Sequence, residues 1–211
     1  MEIHEALYTT RAMRRLRPDP VPLDVQARIL DAAIRAPNVE QQWRFLLVDD
    51  RDVIGALAPL YRIASEKMLA DFGITLADLV RMGGPQSRTA RSALYLVEHF
   101  HELPLLLIGF SPLRGGAGIY PALWSAMLAA RAEGVGSTLT TILGEYCAPE
   151  AFEILGVPPD AGWNMHAVVP MGYPLGRWAV APRRPVHEVA ARNSWNGDLG
   201  FTVDAPLWSP G

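Results

Sequence analysis

The chain has 211 residues, half of them hydrophobic, a formal net charge of −3 and a single cysteine, Cys147. That length supports one domain, residues 1–211, with a sizeable core, and the mild acidity excludes a general electrostatic grip on nucleic acid or an anionic membrane. One cysteine excludes an internal disulfide framework and cannot by itself build a zinc site, so no metal is expected. The first residues lack the basic region and apolar run of a secretory signal, and no apolar stretch is long enough to span a bilayer, so a soluble, cytoplasmic protein is expected.

Residues 2–9 read as a short helix, followed by four arginines within seven residues, Arg11, Arg14, Arg15 and Arg17, and then by Pro18, Pro20 and Pro22. The prolines fix the backbone and give the guanidinium groups a stiff platform suited to a small anion such as a phosphate. A solvated face pairing with Asp19 and Asp24 is the plainer alternative on this segment alone. Residues 24–35 predict a helix with Val25, Ile29, Ala32 and Ala33 on one face and Pro37 marking its end. An amide-rich loop at Asn38, Gln41 and Gln42 leads into a buried strand over 43–48, and such amides can read the hydrogen-bonding edge of a heterocycle.

From 53 to about 100 the pattern is helical but interrupted by Pro59, Gly73 and the run Gly83-Gly84-Pro85, which predicts helices joined by a mobile segment able to cover a site. A helical lid is placed within about 61–102. Residues 103–110 read as a fully buried strand, 120–133 as a helix with Pro121 at its start and Gly134 at its stop, 137–142 (STLTTI) as a β-branched strand, 149–155 as a short helix and 165–171 as a strand. Strands alternating irregularly with helices indicate an α+β or mixed α/β layer fold. The tail after Ala179 reads as extended.

Motif searches for catalysis fail. The run GGAGIYP puts Pro121 where a dinucleotide fingerprint needs its third glycine, and neither a phosphate-binding P-loop nor a hydrolase nucleophile elbow is present. EHFHE, residues 98–102, reads better as a polar helix end than as a metal site, and Cys147 carries no cue for a lowered pKa.

Four segments, in order, resemble the nitroreductase family. They are residues 10–16 (TRAMRRL) with 18–22 (PDPVP), residues 36–45 (APNVEQQWRF), residues 127–137 (MLAARAEGVGS), and residues 172–174 (GYP) with 183–185 (RRP). The resemblance implies an α+β fold with a mixed, largely antiparallel central sheet flanked by helices, assembled as an intertwined homodimer with FMN at the interface. It implies an FMN-dependent oxidoreductase in which NAD(P)H reduces the flavin and a small electron-poor acceptor, a nitroaromatic or quinone, reoxidises it by a ping-pong cycle. A flavin-storing or flavin-processing protein, or a reductive dehalogenase or enone reductase, on the same fold are the alternatives.

Carried over by position, the resemblance assigns Arg11 and Ala12 to the flavin phosphate and pyrimidine region, and Arg14 to flavin N1 and O2. Met13 stands among them. Pro37, Asn38 and Gln41 would come from the other subunit, the backbone of Thr141, Ile142, Leu143 and Gly144 would face flavin N5, and Arg183, with Arg184, would close on the phosphate. No side chain is expected to act as acid, base or nucleophile, because flavin N5 carries the chemistry. Thr10 and Ala12 depart from the family's arginine and serine, and the 37–43 loop is shortened.

Overall fold

The apolar run Leu105–Ser111 is buried at all seven positions of a strand in the computed structural model, which describes every residue except 39, 85–86, 113–114 and 210–211. The chain divides into two units, residues 1–11 with 177–211, and residues 12–176.

In the first unit, helix α1 (Ile3–Thr9) buries Ala6 and Thr9, and the hydroxyls of Thr9 and Thr10 donate to the carbonyls of Glu5 and Ala6. The tail departs from the expected extension twice among its described residues, in a 3-10 turn at Val186–Glu188 and in a hydrogen-bonded turn at Arg192–Gly197 with Asn193 at φ 64°. Its end returns to α1, where Trp208 meets Tyr8 with ring centroids 5.7 Å apart.

The second unit begins with α2 (Leu23–Ala33) and β1 (Arg44–Val48). The long helix α3 (Arg51–Asp71) starts at Asp50, whose side chain accepts from the Asp52 and Val53 amides. It runs through Pro59, where an interruption was expected. The ring forfeits one helix hydrogen bond, and the buried stripe Ile54, Leu57, Tyr61 and Ala64 outweighs that loss. Gly73, at φ 69°, and a capping box between Thr75 and Asp78 set off the short α4 (Leu76–Arg81), and α5 (Ser87–Glu98) follows. Then come β2 (Leu105–Ser111), α6 (Tyr120–Ala132), β3 (Gly136–Ser137), α7 (Ile142–Tyr146), α8 (Ala148–Leu155) and β4 (Asn164–Gly172).

The sheet order is β1-β2-β4-β3, with every neighbour antiparallel. Among the described residues its one parallel element is an isolated bridge between Ala12 and Ser137. Side chains alternate across the two central strands. Leu105, Leu107, Ala167, Val169 and Met171 face α2 and α6, in a core with Val25, Ile29, Leu123 and Ala126. Gly109 brings Ile119, the cap of α6, and Leu123 of that helix tight against the strand, because an added Cβ would stand 3.0 Å from each. On the other face α7 packs on β4, and α3 packs on α7 and α8.

Two strand expectations change. β1 is a sheet edge, half-exposed at most positions, because its outer side has no strand partner among the described residues. The β-branched run 137–142 pairs as a ladder only at its start. Thr140 then makes a lone bridge to Val168, with hydrogen bonds of 2.8 and 2.9 Å, and the chain turns into α7 at Ile142.

Candidate functional site

The arginine segment is held more firmly than its prolines alone would hold it. The Met13 amide donates to the Ser137 carbonyl at 2.9 Å, the Arg17 amide to Tyr173 at 2.8 Å, and the Leu175 amide to Arg15 at 2.9 Å, so residues 13–17 are laced along the sheet margin. Gly136 permits this approach, since a Cβ there would come within 2.9 Å of the Met13 Cβ. Met13 is therefore buried against the sheet, whereas Ala12 is exposed.

The lacing turns successive guanidinium groups to different surroundings. Arg15 lies over the Tyr95 ring at 4.7 Å, and Arg17 lies over Tyr173 at 5.4 Å while pairing with Asp19 at 3.3 Å. Arg14 is half-buried and, among the described residues, has no carboxylate partner. Burial holds its pKa below the ordinary value, against an opposing interaction with Tyr61. An arginine still keeps its proton at neutral pH, so the site retains a full, poorly solvated positive charge.

Arg14 opens onto a cavity of about 450 Å³ walled by Tyr61 and Ser65 of α3, by α4 and α5, and by Thr138, Thr140 and Ile142 of the segment running from β3 into α7. Tyr61 stacks on Phe100 at 4.3 Å, with the Thr140 side chain close to its phenol. Burial raises its pKa, with Thr140 and Arg14 opposing. The phenol therefore stays protonated and presents a neutral polar group beside the cation. Sequence reasoning did not single out Tyr61, Ser65, Thr138 or Thr140; Tyr61 has the spacing of the buried α3 stripe, which marks a core position as readily as a site.

Of the 141–144 segment, only Ile142 lines this cavity. Thr141 precedes α7 as its cap, the Leu143 side chain is fully buried, and Gly144 sits where any Cβ would collide with the Met165 carbonyl. None of the described residues of the 37–41 loop lines the cavity. Pro37 and Gln41 are exposed, the latter at φ 51°. The Asn38 amide donates to the Gly118 carbonyl at 3.1 Å and accepts from the Glu40 amide at 3.2 Å, so it already holds its own loop. Val39 lies outside the described residues.

In the first unit Arg11 is half-buried, and Arg183 and Arg184 border a hollow of about 730 Å³ with Leu7, Tyr8, Phe201 and Leu207. Arg183 donates to the Pro182 carbonyl at 3.0 Å. Arg184 is engaged by Glu188 at 3.1 Å.

The remaining reactive residues have local duties. His99 stacks on Tyr95 at 4.0 Å and reaches Glu102 at 3.1 Å. Burial pushes the Cys147 thiol up, which makes it a poor nucleophile. Among the described residues no cluster of three or more His, Cys, Asp or Glu is placed to hold a metal, and no helix is long and apolar enough to cross a membrane.

The residues present fit a flavin. A half-buried cation without an anion, neighbouring hydroxyls and an apolar wall suit a planar heterocycle that gains negative charge on reduction, and the volume lies within the roughly 300–1,000 Å³ common for such ligands.

Comparison with known proteins agrees. A model of the nitroreductase family matches residues 7–173. Among solved structures, iodotyrosine deiodinase bound to FMN and 3-iodo-L-tyrosine is similar at 20% identity with a TM-score of 0.71, over 92% of this chain and 100% of that one. The FMN-dependent nitroreductase NfnB of Mycobacterium smegmatis, in complex with NADPH, is 21% identical with a TM-score of 0.65, over 88% and 95% of the two chains. The NADPH:FMN oxidoreductase of Vibrio harveyi, complexed with NAD+, is 17% identical with a TM-score of 0.65, over 90% and 76%. No curated protein sequence matches the chain.

Proposed function

The chain belongs to the nitroreductase family, and from that premise we propose that it is an FMN-dependent oxidoreductase in which NAD(P)H is the electron donor and a small electron-poor molecule, a nitroaromatic or quinone, is the acceptor. The observation that carries this reading is Arg14, a half-buried guanidinium with no carboxylate partner among the described residues, facing an otherwise uncharged cavity. When bound, FMN supplies a ring that takes up a hydride and passes its two electrons on. The chain's own residues bind and orient. Arg14 offsets the negative charge that reduction puts on the pyrimidine end, Tyr61 and Thr140 supply neutral hydrogen-bonding groups beside it, and α3, α4 and α5 keep water from the reacting face.

Arg11, Arg183 and Arg184 are proposed for the phosphate, the 141–144 backbone for the flavin edge, and residues 61–102 for the cover over the acceptor. We assign the 37–41 loop to the site of a second copy, in a homodimer. Exposed apolar side chains on α2, its cap and α6, Leu23 (76% exposed), Ile34 and Trp124, support such an assembly. A lone buried cysteine suits the reducing cytoplasm.

Fluorescence titration of the purified protein with FMN tests the reading. Saturable quenching at one FMN per chain is expected, and no binding would sink it. Steady-state NAD(P)H oxidation with a quinone then separates a reductase from a protein that only stores flavin, since the latter would show none.

A further inference from the structure

Apart from Tyr61, Ser65 and Thr89, the described residues that α3, α4 and α5 contribute to the cavity wall are apolar. Met68 and Leu69 of α3, Leu76, Leu79 and Met82 of α4 and its cap, and Leu96 of α5 contribute to it, and apart from Arg14 no described lining residue is charged. The charges these helices carry lie elsewhere. Arg81 pairs with Asp78 at 2.9 Å, Arg62 with Glu66 at 4.0 Å, Lys67 donates to the Tyr146 carbonyl, and Arg88 and Arg91 are exposed. The Ser65 hydroxyl is also spent, donating to the Tyr61 carbonyl at 2.7 Å.

We infer that the acceptor taken by this cavity is an uncharged, predominantly apolar aromatic, and that carboxylates and zwitterionic amino acids are rejected. The inference rests on the flavin reading, because it assigns the one cation among the described lining residues to the flavin and leaves none of them for a substrate. An ionised group entering such a wall loses its water and gains no partner, a penalty large enough to dominate binding. The thioethers of Met68 and Met82 and the small Ala90 and Ala93 instead offer polarisable, shallow contact to an aromatic face.

The test compares methyl 4-nitrobenzoate with 4-nitrobenzoate, which differ by one methyl group and one charge, as ligands of the oxidised, FMN-loaded protein without NAD(P)H. Calorimetry reads the two dissociation constants. The ester is expected to bind at least ten-fold more tightly. Met68→Lys, whose unbranched side chain of similar length fits this half-buried lining position and puts an ammonium group in the apolar wall, is expected to move that ratio at least ten-fold toward the carboxylate. Equal affinities in the wild-type protein, or tighter binding of the carboxylate, overturn the inference whether or not the variant folds, and an unchanged ratio in a folded Met68→Lys does so too. The flavin reading fails separately. A protein that takes up no FMN and binds the carboxylate through Arg14, with that binding lost in Arg14→Met, would show the cation to be free for substrate.

Discussion

Gly144 lies directly beneath the Met165 carbonyl, so close that any Cβ at residue 144 would collide with that oxygen. The contact sets α7 against β4 and thereby places Ile142 in the wall of the Arg14 cavity. Gly144→Ala should destabilise the protein by about 1–3 kcal/mol, the usual cost of overpacking, and lower Tm by several degrees. Gly55→Ala should do the reverse. Gly55 sits inside α3 with open space where its Cβ would be, so alanine should stabilise by about 0.5–1 kcal/mol. Calorimetric melting of the two variants decides, and a Gly144→Ala protein that melts at the wild-type temperature would remove the close contact.

Arg14 and Arg17 are three residues apart on one laced segment, yet only Arg14 faces the cavity. Arg14→Met should weaken FMN binding by about 1.5–3 kcal/mol, the scale of a lost charge-assisted hydrogen bond, while Arg17→Met, which removes an exposed pair with Asp19, should leave it unchanged. Flavin fluorescence titration of both variants measures this. Equal losses would mean that the segment acts through diffuse charge rather than through one positioned group.

The elements that depend on local pattern were legible in the sequence. Residues 105–111 and 120–132 carry an apolar run and a proline-to-glycine bracket that no neighbour had to decide. The elements that depend on distant contacts were not. STLTTI has the composition of a strand, but it turns into α7 because Gly144 can sit under Met165. Pro59 has the look of a break, but α3 continues because its apolar stripe is buried. At the site, the arginine segment could be found from its charge, whereas the commitment of Asn38 to Gly118, eighty positions away, could not. The cavity wall was hidden for a simple reason: Leu76, Leu79 and Leu96 read as core whether they face a neighbouring helix or a ligand.

Arg28 joins two helices. It donates to Asp24 on its own helix at 3.0 Å and, through two nitrogens, to Glu133 at the end of α6 at 2.9 Å each. Hydrogen bonds from Arg28 are the main cause that holds both carboxyl groups below their ordinary pKa. A depressed folded-state pKa contributes stability that is present at neutral pH and is lost as the pH falls from about 5 through the lowered values. Arg28→Met should therefore melt closer to the wild-type protein at pH 3 than at pH 7. The difference at pH 7 should shrink in high salt, because all three groups are partly exposed. A constant difference across this range would show that the clamp adds nothing beyond packing.

Arg11 and Arg184 are both proposed for the phosphate, but they start from different states. Arg184 already holds the Glu188 side chain at 3.1 Å and its carbonyl at 3.2 Å, so an incoming phosphate must compete with an existing anion. Among the described residues Arg11 has no such carboxylate partner, and it is half-buried where Arg184 is exposed. Screening by water weakens the exposed group further. Arg11→Ala should thus weaken FMN binding by about 1.5–3 kcal/mol, and Arg184→Ala by less than about 1 kcal/mol. Riboflavin, which lacks the phosphate, supplies the control, since its affinity should be the same in the wild-type protein and both variants. An Arg11→Ala protein with unchanged FMN affinity, or one that loses riboflavin and FMN equally, would take Arg11 out of the phosphate site.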